Sequence, residues 1–271
     1  MSKKELISKS DFILCLGTML SNNKEDVRNS IIESIAKTNA QFIYMHPIDN
    51  IDLKLYYTQF IKYEVGSEEG ILALLLDTFV KQSNEQIQKY INDLDLGYIS
   101  AESSAGEEEF EEAYENSLNT KVKTLIIGDD LIEHPRVENI VKLICVIKKF
   151  TDFNIIVLDE KFEEKINACN NLDLEEVEDL KSFDGTIVYR LIEDESIQDL
   201  IASESFARIA KVANNDEVYL NYKNSKVLKT IKIDEKLQGT IAIAKITNCD
   251  EEIFKDYRYK QVKIQKVDEH E

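Results

Sequence analysis

Asp11-Phe-Ile-Leu-Cys-Leu-Gly-Thr-Met-Leu-Ser-Asn-Asn-Lys24, followed after a polar stretch by Gln41-Phe-Ile-Tyr-Met-His-Pro47, decides how this chain folds. Residues 12–16 form an uninterrupted apolar run, the right length for a strand buried on both faces. Gly17 lets the backbone turn. Ser21, Asn22 and Asn23 are side chains suited to capping a helix, and Glu25 and Asp26 fall in its first turn, where the helix dipole favours negative charge. Val27, Ile31, Ile32 and Ile35 then recur along one helical face. Phe42-Ile-Tyr-Met45 is a second apolar strand, closed by Pro47. A helix joining two fully apolar strands predicts a parallel sheet covered on both sides. The turn after the first strand holds one glycine, whereas a dinucleotide-binding turn brings several close together so that backbone N–H groups approach a pyrophosphate. A scaffold βαβ unit is the expectation.

The 271 residues suffice for a large core and two domains. The 52 acidic residues outnumber the 33 basic ones, for a formal charge of −19, which disfavours nucleic acid and anionic lipid as partners. No apolar run is long enough to span a bilayer, and residues 1–9 lack the apolar stretch of a signal peptide, so a cytoplasmic location is expected. Cys15, Cys145, Cys169 and Cys249 are scattered without a CxxC pair, and the three histidines, His46, His134 and His270, form no HExxH. Neither a metal site nor an iron–sulfur cluster is therefore expected in this chain.

Further along, residues 48–63 look irregular. A helix opens at Gly66 and Ser67 and buries Leu72, Leu75, Leu76, Phe79 and Val80. Ser83 or Asn84 caps another, with Ile87, Tyr90, Ile91 and Leu94 inside, and Leu96-Gly97 stops it. Residues 98–106 are small and loop-like. An acidic helix follows over 107–116, and its Glu107, Glu108, Glu109, Glu111 and Glu112 are a candidate partner-docking surface. A second βαβ pattern runs from Thr124-Leu-Ile-Ile127, through a helix begun near Pro135 with Ile140, Ile144 and Ile147 inward, to Asn154-Ile-Ile-Val-Leu158. Residues 159–183 are acidic and weakly patterned, 185–189 read as a strand and 196–202 as a short helix. Residues 216–222, 227–233 and 240–246 are β-branched and partly alternating, with Tyr222-Lys-Asn-Ser225 suited to a hairpin. The basic end, 255–266, reads as a solvated terminus. The fold class expected is α/β: two Rossmann-like lobes with mainly parallel sheets, over residues 1–120 and 121–204, and a small C-terminal antiparallel β module over 205–271. Its core is expected around Phe12, Ile13, Leu14, Leu16, Ile31, Ile35, Leu72, Leu75, Leu125, Ile126, Ile140, Ile144, Ile156 and Val157.

The first βαβ unit resembles that of the molybdopterin-oxidoreductase superfamily. Longer phrases narrow this. Phe60-Ile-Lys-Tyr-Glu-Val-Gly-Ser-Glu-Glu-Gly-Ile-Leu-Ala-Leu-Leu75, Gly97-Tyr-Ile-Ser-Ala-Glu-Ser103 with Gly106-Glu-Glu-Glu109, Ile127-Gly-Asp-Asp-Leu-Ile-Glu-His-Pro-Arg136 and Ile233-Asp-Glu-Lys-Leu-Gln-Gly-Thr-Ile-Ala242 resemble, in order, the C-terminal region of the molybdopterin-oxidoreductase-like subunit of respiratory complex I, the NADH-quinone oxidoreductase, in a divergent bacterial branch. The resemblance covers most of residues 11–160 and a patch near 216–245, and residues 159–202 depart from it. It implies a molybdopterin-type fold that has lost its cofactor, without the N-terminal iron–sulfur domains of that complex I protein. No catalytic, cofactor-binding or metal-binding residue carries over. Iron–sulfur clusters and flavin would lie on partner domains or subunits, the partners would be other peripheral-arm subunits, and the chain would attach peripherally to the inner membrane through them.

The expected function is thus a non-catalytic scaffold. Two others compete with it. Asp11-Phe-Ile-Leu-Cys-Leu-Gly-Thr18 also resembles the strand-to-turn phrase of NAD-binding Rossmann-like enzymes, but the glycine-rich entry loop is missing, and His46 and His134 each precede a proline at an element boundary, where capping is the ordinary role. The third is an acidic docking protein that receives a basic electron carrier or regulatory partner.

Overall fold

The computed structural model describes residues 2–180, 183–247 and 251–267. They divide into two compact units, one drawn from 2–20, 24–47 and 53–180, the other from 21–23, 48–52 and the described residues from 183 onward. The class is mixed α/β, with a parallel sheet in the first unit and a separate mixed sheet in the second.

The first unit opens with α1 (Lys3–Ile7), whose N-terminus is closed by a capping box between Ser2 and Glu5. Next come β1 (Phe12–Leu16), α2 (Glu25–Thr38), β2 (Gln41–Met45) and the short β3 (Gln59–Ile61). The stretch expected to be irregular thus contains an edge strand, too short to leave a periodic signal. A string of helices follows, α3 (Glu68–Phe79), α4 (Glu85–Asp93), α5 (Leu96–Ser103) and α6 (Glu107–Ser117), before β4 (Lys123–Ile127), α7 (Val137–Phe150), β5 (Asn154–Val157) and α8 (Glu160–Ala168). The five strands lie in the order β3-β2-β1-β4-β5, every neighbouring pair parallel.

The unbroken apolar run of β1 is explained by this order. Phe12, Leu14 and Leu16 enter one core with α3 and α7, while Ile13 and Cys15 enter another with Ile31 of α2. Both faces are dry, and each fully buried side chain of this size contributes about 1.5–3 kcal/mol. Of the expected core residues only Ile35 is half-buried, at the margin of the α2 face. The second βαβ pattern does not found a lobe of its own at residue 121. A sheet of β1, β2 and β3 alone would leave fully buried β1 as an edge with unpaired N–H and C=O groups. β4 takes that edge, Leu14 opposite Leu125 and Leu16 opposite Ile127.

Helix ends depart from expectation where capping competes. Residues 22–24 form a 3-10 turn, so Lys24, which has no acceptor, stands at the N-cap of α2 and the helix starts without a side-chain cap, while Ser21 Oγ donates to Asn23 Oδ1 at 2.9 Å. Asn84 caps α4 as expected, accepting from the Ile87 N–H at 2.9 Å. The segment expected to loop over 98–106 is mostly α5, because the Asp95 carboxylate accepts the Tyr98 N–H at 3.0 Å and starts a new helix directly after α4.

In the second unit, β6 (Ile187–Ile192), β7 (Asp199–Ala202), α9 (Glu204–Ala210), β8 (Glu217–Tyr222), β9 (Ser225–Ile233), β10 (Ile241–Ile246), β11 (Tyr259–Gln261) and β12 (Lys263–Lys266) follow in sequence. The seven strands are ordered β11-β6-β10-β7-β9-β8-β12. The expected hairpin is present, Tyr222 opposite Ser225. The sheet is mixed rather than antiparallel, since β10 pairs β6 and β7 pairs β9 in parallel. It therefore begins near residue 187, not at 205. Residues 199–202, expected as helix, are a strand in which Leu200 and Ala202 are buried and the alternate residues less so; four residues suffice for period two but not for a helical stripe. The basic end is not a free terminus either. It supplies both edge strands, and Lys266 Nζ sits 2.6 Å from Asp216 Oδ2.

Gly128 follows β4 and leaves no room for a side chain. A Cβ there would lie 2.0 Å from the Gly17 carbonyl oxygen and 2.4 Å from Thr18 Cβ. Gly128→Ala should therefore lower stability by about 3 kcal/mol or more, the range of severe overpacking. Gly97→Ala in α5, where a Cβ would meet only Asp95 Oδ1 at 3.7 Å, should be neutral or stabilising by up to ~1 kcal/mol. Urea unfolding of the two variants checks the contrast.

Candidate functional site

In open parallel sheets the strand order reverses at a switch point, and ligands bind beyond the carboxyl ends of the strands there. Here β1 and β4 flank that point, so the turns after them, Gly17-Thr18 and Gly128-Asp129-Asp130, form the candidate site. The two turns are bound to each other. The Gly128 N–H donates to the Leu16 carbonyl at 2.8 Å and the Asp130 N–H to the Gly17 carbonyl at 3.0 Å. Gly17 itself has φ +68°, and a Cβ on it would strike Leu131 Cδ1 at 1.9 Å. Glycine at both positions serves a close approach of protein to protein, where a phosphate cradle would open the turn to a ligand.

Polar side chains fill the remaining space. Thr18 Oγ1 donates to Asp129 Oδ1 at 3.1 Å, and Lys24 forms an ion pair with the same oxygen. His46, at the end of β2, meets Asp130 across the sheet, Nε2 to Oδ2 at 3.0 Å, with both side chains fully buried. The His46 ring stacks on Tyr44 at 5.6 Å, and the Tyr44 hydroxyl donates to the Thr18 carbonyl at 3.1 Å. An imidazole and a carboxylate at this distance are the groups used for proton transfer. At zero exposure the pair instead ties β2 to the β4 turn.

A second polar group lies beside it. The Arg136 N–H donates to His134 Nδ1 at 3.0 Å, so the ring hydrogen is on Nε2, which faces the Gly66 carbonyl at 3.1 Å and Glu68 Oε2 at 3.4 Å. The Arg136 guanidinium joins the buried Glu69 carboxylate to Glu175 Oε2 at 3.0 Å and Glu178 Oε1 at 3.1 Å. Asn139 Nδ2 donates to Glu69 Oε1 at 2.6 Å and to the Glu175 carbonyl at 3.0 Å, and its own oxygen receives the Glu175 N–H at 2.9 Å. Lys142 holds the Glu175 carboxyl below the usual carboxylate range, with Arg136 assisting. The acidic stretch after α8, unpatterned in sequence, is thus fastened to α3 and α7. Sequence reasoning passed over Glu69, Arg136 and Asn139 as functional groups because their distance in the chain hides their convergence.

The docking surface expected on α6 is only partly available. Glu107, Glu108, Glu111 and Glu112 are exposed. Glu109 is half-buried and turns back to accept the Gly106 N–H at 2.9 Å, closing a capping box. A different acidic concavity, about 620 Å³, lies where Asp93, Asp95, Glu176 and Asp179 meet Tyr90 and Tyr98. Cys15 is fully buried, and burial pushes its thiol up to about 12. Cys249 and His270 lie outside the described residues. Among the described residues no group of three or more His, Cys, Asp or Glu side chains is placed to hold a metal ion, and no helix is long and apolar enough to cross a membrane.

Burial raises the Glu109 pKa above its ordinary value, the Gly106 N–H opposes this, and Glu108 and Glu112 add to it. A raised folded-state pKa contributes stability at low pH that is lost as pH rises through it. Glu109→Gln keeps an oxygen for the Gly106 N–H and carries no charge. Its stability relative to the parent should therefore rise as pH increases from about 4 to 7, and Glu109→Ala should follow the same trend about 0.5–2 kcal/mol lower, through its lost capping. Thermal unfolding across that range measures both.

No protein-family model matches the chain, and no curated protein matches it. Among solved structures it is similar to acetylene hydratase from Pelobacter acetylenicus, at 7% identity and a TM-score of 0.54, over 89% of this chain and 71% of that one. At that identity the likeness shows shared α/β architecture alone.

Proposed function

We propose that this chain is a non-catalytic scaffold, built on a Rossmann-like lobe and related to the C-terminal region of the molybdopterin-oxidoreductase-like subunit of complex I, which holds peripheral-arm subunits of an NADH-quinone oxidoreductase in place. Electron transfer would be carried by iron–sulfur clusters and flavin on those partners, and the chain would sit on the cytoplasmic side, attached to the inner membrane through them. The observation that carries this reading is the switch point. Where a cofactor would lie, Gly17 and Gly128 pack backbone to backbone and the adjoining His46–Asp130 pair is sealed from solvent. The phrases that resemble the complex I protein also supply structural links: residues 60–75 contribute Glu68 and Glu69, and residues 127–136 contribute Asp130, His134 and Arg136. An NAD-binding enzyme finds less support, because the same packing occupies the place of a pyrophosphate. The α6 carboxylates remain a surface through which a basic partner could dock, favoured by the net charge of −19.

The test is affinity purification of the tagged chain from its native membranes in mild detergent, with iron and flavin assayed on the eluate and on the chain purified alone. Quinone-reductase subunits should co-elute and keep the iron and flavin, and the isolated chain should carry neither. A chain that elutes alone, or that brings its own nucleotide or metal, overturns the proposal.

A further inference from the structure

Away from the switch point, two thiols far apart in sequence come together. Cys145 lies on the buried face of α7. Its Sγ donates to the Ile166 carbonyl at 3.3 Å, near the end of α8. The Cys169 backbone N–H donates to the same carbonyl at 3.3 Å, as the residue that ends α8. The Cys145 side chain and the Cys169 backbone thus meet at one oxygen, and the Cys169 thiol donates to the Asn171 carbonyl at 3.3 Å. They open into a cavity of about 410 Å³ whose wall carries Lys148 and Lys149, with Lys148 Nζ anchored on Asn167 Oδ1 at 2.9 Å.

The two thiols differ in accessibility. Cys169 is partly exposed and Cys145 buried. Burial and the neighbouring thiol hold Cys145 protonated, its pKa up at about 12. In thiol–disulfide exchange the attacking group is an accessible thiolate, and a second thiol in contact displaces the mixed disulfide. The lysines give the cavity a positive lining that suits a disulfide bearing carboxylates.

We propose that Cys145 and Cys169 form a thiol–disulfide exchange site for anionic low-molecular-weight peptide disulfides, with Cys169 attacking and Cys145 resolving. In the first step the Cys169 thiolate attacks one sulfur of the disulfide RSSR. A bond forms between Cys169 and R–S, the R–S–S–R bond breaks, and one RS⁻ leaves. In the second step Cys145 sulfur attacks Cys169, giving its proton to the departing thiolate, and the second R–S leaves. The balance is two protein thiols plus RSSR giving one protein disulfide plus two RSH, so the chain is oxidised and the small disulfide reduced. The bridge joins α7 to the chain just beyond α8.

The test uses the full chain carrying Cys249→Ser, incubated with oxidised glutathione or with neutral hydroxyethyl disulfide, then quenched by alkylation and mapped by peptide mass spectrometry. A Cys145–Cys169 linked peptide with loss of two hydrogens is expected, and Cys15 should be alkylated only after unfolding. Cys145→Ser should stop at a mixed disulfide on Cys169, whereas Cys169→Ser should leave Cys145 unmodified. Lys148→Ala with Lys149→Ala should slow reaction with oxidised glutathione severalfold and leave the neutral disulfide unaffected. A stable mixed disulfide on Cys169 of the parent, or equal reactivity of Cys15 in the native state, overturns the proposal. Circular dichroism of each variant before oxidation restricts the comparison to folded chains, and the parent alone suffices for the first outcome.

Discussion

Two carbonyls and two glycines fix the centre of the first unit. β1 and β4 are neighbours, and the chain must leave both in the same small space. It does so only because Gly128 has no side chain to strike the Gly17 carbonyl and Gly17 tolerates a left-handed turn under Leu131. The hydrogen bonds from Gly128 to Leu16 and from Asp130 to Gly17 then continue the sheet pairing one step past its strands. The placement of Asp129 and Asp130 follows from this, and with it the ion pair to Lys24 and the buried contact with His46. Packing and polar satisfaction depend on one another here: the dry core on either face of β1 is possible because the polar groups at its end are paired at the same point.

The same economy governs the long acidic stretch after α8. Its backbone has no regular secondary structure between 169 and 180, yet Asn139 exchanges two hydrogen bonds with Glu175 and Arg136 binds Glu175, Glu178 and the Glu176 carbonyl. Glu69 is buried beneath this arrangement and matched by Arg136 and Asn139 together. Removing one partner of such a buried pair usually costs about 3–5 kcal/mol, mainly through the charge left behind. A segment that would otherwise be solvated polar chain becomes part of the surface of α3 and α7, and its high carboxylate content is balanced locally by Arg136 and Lys142.

The sequence was legible where one physical effect dominated. Apolar runs closed by Gly17, Pro47 and Gly128 located β1, β2 and β4, the run before Asp159 located β5, and nearly every residue expected in the core is buried, because parallel strands covered on both sides leave a continuous hydrophobic signal. What was hidden required knowledge of pairing. Whether Leu125 meets Leu14 or begins a new sheet is not encoded in either strand, so one five-stranded sheet was read as two lobes. Short strands such as β3 and β7 lie below the length at which periodicity separates strand from turn. α5 was masked by Gly97 and small residues although Asp95 marked its start. Of the candidate site, only the glycine-poor turn was visible. Asp130 and His46 beside it, and Arg136 in the neighbouring polar group, are polar residues whose meaning lies in distant contacts, and Glu109, grouped with its neighbours as a docking charge, turns out to cap its own helix.

Native-state hydrogen exchange at the amides of Gly128 and Asp130, with and without saturating NADH, most directly probes whether the switch point is a sealed structural joint. Both amides should exchange only through global unfolding, as slowly as the centre of β1, and NADH should leave their rates unchanged. Exchange at the rate of an open loop, or protection that appears only with the nucleotide, would contradict the proposed scaffold, in which the two turns at the switch point pack on each other.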